Sequence, residues 1–157
     1  MLNSSSYYGN GWHMVVRRAA LRERIAGLRA ACSRLGEVGM RTAMDPAAEW
    51  ARERGLQIAA QAVFDIGNHV LSGGFAERPA DYVAIPSTLC RKGVISAELE
   101  GRLRGLAGFR NLLVHDYARV DPARVREMLE SRLPDLVAFA DAVEDWLNRD
   151  PEPADMG

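Results

Sequence analysis

The stretch DPAAEWARERGLQIAAQAVFDIGNHVLSGG, residues 45–74, decides the fold. Asp45 ahead of Pro46 has the form of a helix N-cap with proline at the first helical position, where a missing N–H is no loss. Leu56, Ala59, Val63, Ile66 and Val70 recur at helical spacing, and Ala60, Phe64, Gly67 and Leu71 form a second apolar row beside them. The spacing predicts one helix from Pro46 to about Ser72, stopped by Gly73-Gly74. A helix with so broad an apolar surface must be covered on two sides, which a multi-helix bundle achieves.

The flanking sequence supplies the other helices. Leu21, Ile25, Leu28, Cys32 and Leu35 draw one apolar stripe, which predicts a first helix from about Met14 to Val38. Pro79 and Pro86 restrict the segment after Gly74 to a short helix near Asp81 to Arg91, stopped by Gly93. Ser96 reads as the N-cap of a fourth helix reaching about His115, with Glu98 and Glu100 placed to favour its positive end. Asp121-Pro122 repeats the cap-and-proline signal, and Val125, Leu129, Leu133, Leu136, Ala140, Val143 and Leu147 keep helical phase beyond it. Pro134 lies inside that run and should kink it. Strand alternation is nearly absent. The expectation is an all-α protein, an antiparallel bundle of four to five helices spanning residues 14–149, with residues 1–13 a flexible extension and 150–157 a flexible tail.

Composition narrows the functional classes. Of 157 residues, 48% are hydrophobic and 26% charged, and the formal net charge is −1, which fits an ordinary globular domain and not a disordered tail. Nineteen of the twenty basic residues are arginine, Lys92 being the exception, yet no overall basic excess marks a nucleic-acid binder. Any RNA must therefore be met by a local cluster. Cys32 and Cys90 are isolated thiols without metal-ligand spacing, as expected of a reducing cytoplasm. No apolar run is long enough for a membrane span, and the opening residues lack the pattern of a signal peptide. A glycine-rich phosphate loop and a metal-ligand cluster are also missing from the sequence, so neither metal nor cofactor is expected.

The chemistry concentrates in residues 101–117, GRLRGLAGFRNLLVHDY. Leu99, Leu103 and Leu106 lie on one stripe, and Arg110 occupies the next position, where leucine is expected. A guanidinium there must be paired or used, because an unpaired buried charge costs several kcal/mol, on the order of the desolvation penalty. Asp65 is one possible partner, and a role at a reactive site is the other reading. Gly101, Gly105 and Gly108 stand elsewhere on the same helix, each weakening it by roughly 1 kcal/mol relative to alanine. A stripe without side chains suits a second helix or a second protomer packed beside Asn111 and His115. Asp65 and His69, four residues apart, form either an acid–histidine pair supporting the site or part of a polar stripe with Gln57, Gln61 and Asn68. Arg102, Arg104 and Arg119 flank the motif as candidate phosphate contacts or as solvated surface. Trp50 and Trp146 fall on apolar rows and are expected to pack.

Arg110, Asn111, His115 and Tyr117 together resemble the Arg-x4-His-x-Tyr signature of HepT-like toxins in the HEPN superfamily. Gly93-Val94-Ile95-Ser96, Gly108-Phe109 and the Asp65, Asn68, His69 set are similar to that family as well, so the likeness extends over roughly Leu56 to Trp146. The resemblance implies a HEPN helical bundle, a homodimer whose cleft joins both motifs, and metal-independent endoribonuclease activity with Arg110, Asn111 and His115 catalytic. It implies no cofactor. It further implies a minimal nucleotidyltransferase antitoxin, MntA-like, that silences the toxin by adenylylating Tyr117. The alternative reading is a non-catalytic HEPN subunit that binds a nucleotidyltransferase. Histidine suits proton transfer near neutral pH and arginine suits the phosphorane charge. Five residues separate Arg110 from His115, roughly 140° around an ideal helix, so both reach one phosphate only if the helix distorts or two protomers converge.

Overall fold

A proline one residue past an aspartate starts the central helix as its sequence requires: the Asp45 carboxylate accepts from the Ala47 amide at 3.0 Å, and the helix runs Pro46–Gly74. The structure, a computed structural model, describes residues 18–39, 45–115 and 121–149. The expected extension at 1–13 and tail at 150–157 lie outside the described residues, as do Arg119 and Tyr117. In chain order the described helices are α1 Arg18–Gly39, α2 Pro46–Gly74, α3 Ala84–Arg91, α4 Ala97–Leu103, α5 Leu106–His115 and α6 Pro122–Arg149. The all-α bundle is as the periodicity predicts.

Both apolar rows of α2 are buried. A Cβ on Gly55 would stand 2.6 Å from the Leu35 side chain, and one on Gly67 2.5 Å from Ile85, so α1 lies close on one side and α3 on another. Here the missing side chains are what permit the approach. Pairings along the helices give their directions. Arg52 donates to the Val38 carbonyl at 3.3 Å and Leu35 meets Gly55, so α1 and α2 are antiparallel. Arg29 reaches Asp141 and Glu144, both at 2.6 Å, while Gly36 faces Leu133, so α1 and α6 are antiparallel too. Arg126 with Glu49 near the starts, and Trp146 with Phe75 near the ends, make α2 and α6 parallel. Leu28, Leu56, Phe64, Ile66, Leu136 and Phe139 fill the space between, each fully buried. Burial of one such side chain contributes roughly 1.5–3 kcal/mol. Burial also pushes the Cys32 thiol up to about 11, leaving it protonated at neutral pH.

Four expectations need correction. The helix from Ser96 to His115 is interrupted at Arg104-Gly105, so α4 and α5 are two pieces. Two glycines within five residues weaken the helix there, and the Phe109 amide bonds back to the Gly105 carbonyl to start α5 afresh. The stop after α2 falls later than Gly73-Gly74, which both remain helical; Ala76 takes the positive φ of 54°. Trp50 is 61% exposed and does not pack in the core, whereas Trp146 does pack, against Phe75. Finally, a Cβ at Gly101, Gly105 or Gly108 would meet nothing within 4 Å, so none of the described helices packs on these glycines. Pro134, exposed on one turn, lies within a continuous α6.

Candidate functional site

Arg110 leaves α5 toward α2 and is held there by three neighbours. Its Nε donates to Gln61 Oε1 at 2.9 Å, its Nη1 donates to Asn111 Oδ1 at 3.2 Å, and its guanidinium lies over the Tyr82 ring, 5.2 Å from the centroid. Tyr82 in turn stacks on Phe64, 5.1 Å between centroids, so a core aromatic on α2 supports the ring that supports the arginine. Gln61 Nε2 donates to Asp65 Oδ1 at 2.9 Å. Asp65 thus touches Arg110 only through the glutamine amide.

That arrangement settles the charge question for Arg110 among the described residues. A neutral amide and an aromatic face orient the guanidinium, and no carboxylate among them pairs with it. Such contacts fix the plane of the group while leaving its net charge available to an anion. Arg110 lines an open groove of about 510 Å³ with Arg54, Gln57, Ile58, Gln61, Ala62 and Asp65.

The flanking arginines behave otherwise. Arg102 donates to Glu98 at 2.6 Å and to Asp135 at 2.7 Å, pinning α4 to α6. Its main-chain carbonyl accepts from Arg132. Arg104 is held by Glu100 at 2.9 Å, and that bond raises its pKa further. Glu98 and Glu100 therefore serve as i, i+4 partners as well as first-turn acids. Both arginines are already neutralised.

Of the residues singled out from sequence, Arg110 meets Asn111 directly and Asp65 through Gln61. His69, one turn beyond Asp65 on α2, is half-buried. His115 is the last residue of α5, so its backbone keeps helical phase with Arg110; its side chain and the whole of Tyr117 lie outside the described residues. Gln61 and Tyr82 were missed as site residues. Gln61 carried a signal, since it shares the polar stripe of Gln57, Asp65 and Asn68, but Tyr82 stands in the proline-rich segment where periodicity says nothing.

The model of the family described as Ribonuclease HepT-like matches residues 21–143. Among solved structures, the cytosolic protein YutE from Bacillus subtilis is similar with a TM-score of 0.77 and 19% identity, covering 87% of this chain and 94% of that one. A toxin–antitoxin structure with AMP-PNP gives a TM-score of 0.72 at 22% identity, covering 80% and 97%. The tri-AMPylated Shewanella oneidensis HEPN toxin in complex with an MNT antitoxin gives 0.71 at 23%, covering 80% and 96%. Comparison with curated proteins gives no match. Identities this low carry the fold alone, whereas the family model spans most of the helical bundle, and on that ground the chain belongs to the HepT-like ribonuclease family.

Proposed function

We propose that the chain is the toxin of a toxin–antitoxin pair, a metal-independent endoribonuclease silenced by adenylylation of Tyr117. The observation that carries the reading is Arg110, at the head of the Arg-x4-His-x-Tyr motif, oriented on an open groove by an amide and an aromatic ring while its charge stays uncompensated by any described carboxylate. In the proposed reaction His115 takes the proton of a ribose 2′-hydroxyl and the freed oxygen attacks the adjacent phosphorus. The bond to the 5′-oxygen breaks, that oxygen takes up a proton, and a 2′,3′-cyclic phosphate remains. Arg110 stabilises the extra negative charge of the phosphorane, with Asn111 beside it.

Helical phase supports a homodimeric site. Arg110 and His115 belong to one regular helix, on which five residues place them roughly 140° apart. Convergence across two protomers solves this without distorting α5, and the open space at Gly108 on α5 and at Gly105 just before it offers a surface for it. Solved HEPN toxins of this fold in complex with nucleotidyltransferase antitoxins support such an antitoxin as the partner of this chain. Attack of the Tyr117 phenol on the α-phosphorus of ATP, with loss of pyrophosphate, would add an anion where RNA must dock, so substrate would be repelled.

Induced expression of the chain alone, against His115→Ala, tests the reading. Growth arrest by the parent and none by His115→Ala is expected, with both proteins folded. Equal toxicity of the two would leave a non-catalytic subunit as the better account. Intact-mass analysis after co-expression with the antitoxin should find added AMP on the parent and none on Tyr117→Phe.

A further inference from the structure

We propose that the polar, partly exposed face of α2, from Trp50 through Arg54, Gln57, Gln61 and Ser72 to Arg78 beyond its end, is the track along which single-stranded RNA lies across Arg110. This rests on the ribonuclease reading and adds a substrate-binding surface to it. Residues 50, 54, 57, 61, 65, 68 and 72 follow one another in steps of three and four, so they share one side of α2. From Arg54 to Ser72 that side is about 27 Å long at 1.5 Å per residue. The groove with Arg54, Gln61, Asp65 and Arg110 occupies its middle, and a second hollow of about 640 Å³ bounded by Asn68, Ser72, Glu77 and Arg78 continues from the next turn.

Charge decides what such a face accepts. Arg54 donates to the neutral Gln57 amide at 3.1 Å, and Arg110 to the neutral Gln61 amide. Arg78 is exposed and pairs with no carboxylate among the described residues. The acid next to it, Glu77, is held by Lys92 at 2.9 Å and by Arg91 at 3.6 Å, and Lys92 lowers its pKa. Arg29, Arg91, Arg102, Arg104 and Arg126 face carboxylates. Arg22, Arg24, Arg34, Arg124 and Arg149 are exposed and, among the described residues, equally unpaired, but only Arg54, Arg78 and Arg110 of the unpaired set line these two hollows. Three guanidinium groups that pair with no carboxylate among the described residues therefore line one face, with the Asp65 carboxylate between them, on a protein whose net charge is −1. Polyanionic backbone fits that spacing of cations better than an acidic or apolar partner does. Trp50, 61% exposed at one end of the face, offers an aromatic surface for a base, and Asp65 beside Arg110 can accept from a 2′-hydroxyl, the group that separates RNA from DNA.

The test is the binding of a fluorescein-labelled oligouridylate, read by anisotropy over a series of salt concentrations. His115→Ala serves as parent so that no cleavage intervenes. Arg54→Gln and Arg78→Gln should each weaken binding about threefold or more and lower the slope of log K against log salt by about 0.7. Trp50→Ala should weaken it by about fivefold or more. Arg54→Lys should restore most of the loss, and Arg104→Gln, whose arginine is already paired, should change nothing. Binding indifferent to Arg54 and Arg78 would overturn the track while leaving the nuclease intact. The same result with loss of antitoxin capture would assign the face to the protein partner instead. An RNA-binding track with a fully toxic His115→Ala would spare this inference and remove the catalytic one.

Discussion

Arg102 and Arg110 stand eight residues apart on consecutive helices, and they meet opposite surroundings. Arg102 is clamped between Glu98 and Asp135, the latter only 7% exposed, and joins α4 to α6. Arg110 is clamped between Gln61 and the Tyr82 ring, and faces a groove. Both are fixed in place, but among the described residues only the first meets a carboxylate. A carboxylate consumes the charge it positions, while an amide or an aromatic face positions it and leaves it for another anion. Which arginine is tied up in the fold and which stays open to an anion thus follows from the chemistry of the holder, not from burial or from distance along the chain.

The largest expected effect lies at Arg110, the arginine proposed to act on the phosphorane. Arg110→Ala should lower RNA cleavage by about 100- to 1,000-fold, the scale of losing one donor to a transition-state anion, with helicity and melting temperature close to the parent's. Arg110→Lys should recover little, because lysine keeps the charge but cannot donate to Gln61 while presenting a planar face to Tyr82. The converse holds for Arg102→Ala. It leaves Asp135 with Arg132 at 3.7 Å as its cation and should cost about 2 kcal/mol of stability in urea unfolding, with the cleavage rate per folded molecule unchanged. A loss of rate with no loss of stability at Arg102 would erase the distinction between the two arginines.

Removing the holder sharpens the comparison. Gln61→Ala should cut the turnover number by about tenfold, the kinetic equivalent of about 1.4 kcal/mol, while Asp65, which reaches Arg110 only through Gln61, should matter less when changed to Asn. Effects confined to stability and assembly distinguish the two kinds of glycine. Gly67→Ala should destabilise by about 1–3 kcal/mol because Ile85 stands in the way. Gly108→Ala, in open space, should stabilise the isolated protomer by up to about 1 kcal/mol through helix propensity. If α5 also forms the seam between protomers, Gly108→Leu should lower the dimer association constant in sedimentation without unfolding the bundle.

Much of this molecule is legible in its sequence, for reasons that differ by region. Asp45-Pro46, Ser96 and Asp121-Pro122 mark helix starts because a capping oxygen and a fixed φ act locally, and all three carboxylate or hydroxyl caps are made. The apolar rows of α2 identify their burial, since helical spacing is a property of the chain itself. Arg110 stands out because it interrupts such a row. The glycine stripe is ambiguous by the same token: absence of a side chain permits close approach without naming what approaches, and Gly55 and Gly67 prove to be the crowded ones. Gln61 and Tyr82 are invisible as partners of Arg110, because the contacts cross 49 residues in one case and a proline-limited segment in the other. Arg104 has its partner Glu100 four residues back, within reach of sequence reading, whereas the role of Arg102 also depends on Asp135 across the bundle, information held only in three dimensions.

The most direct test of the central claim is cleavage of an end-labelled RNA in excess EDTA by purified parent protein, Arg110→Ala and Arg102→Ala at equal folded concentration. The account predicts cleavage by the parent and by Arg102→Ala, with products ending in a 2′,3′-cyclic phosphate, and at most about one hundredth of that rate with Arg110→Ala. Parent-like cleavage by Arg110→Ala would contradict it.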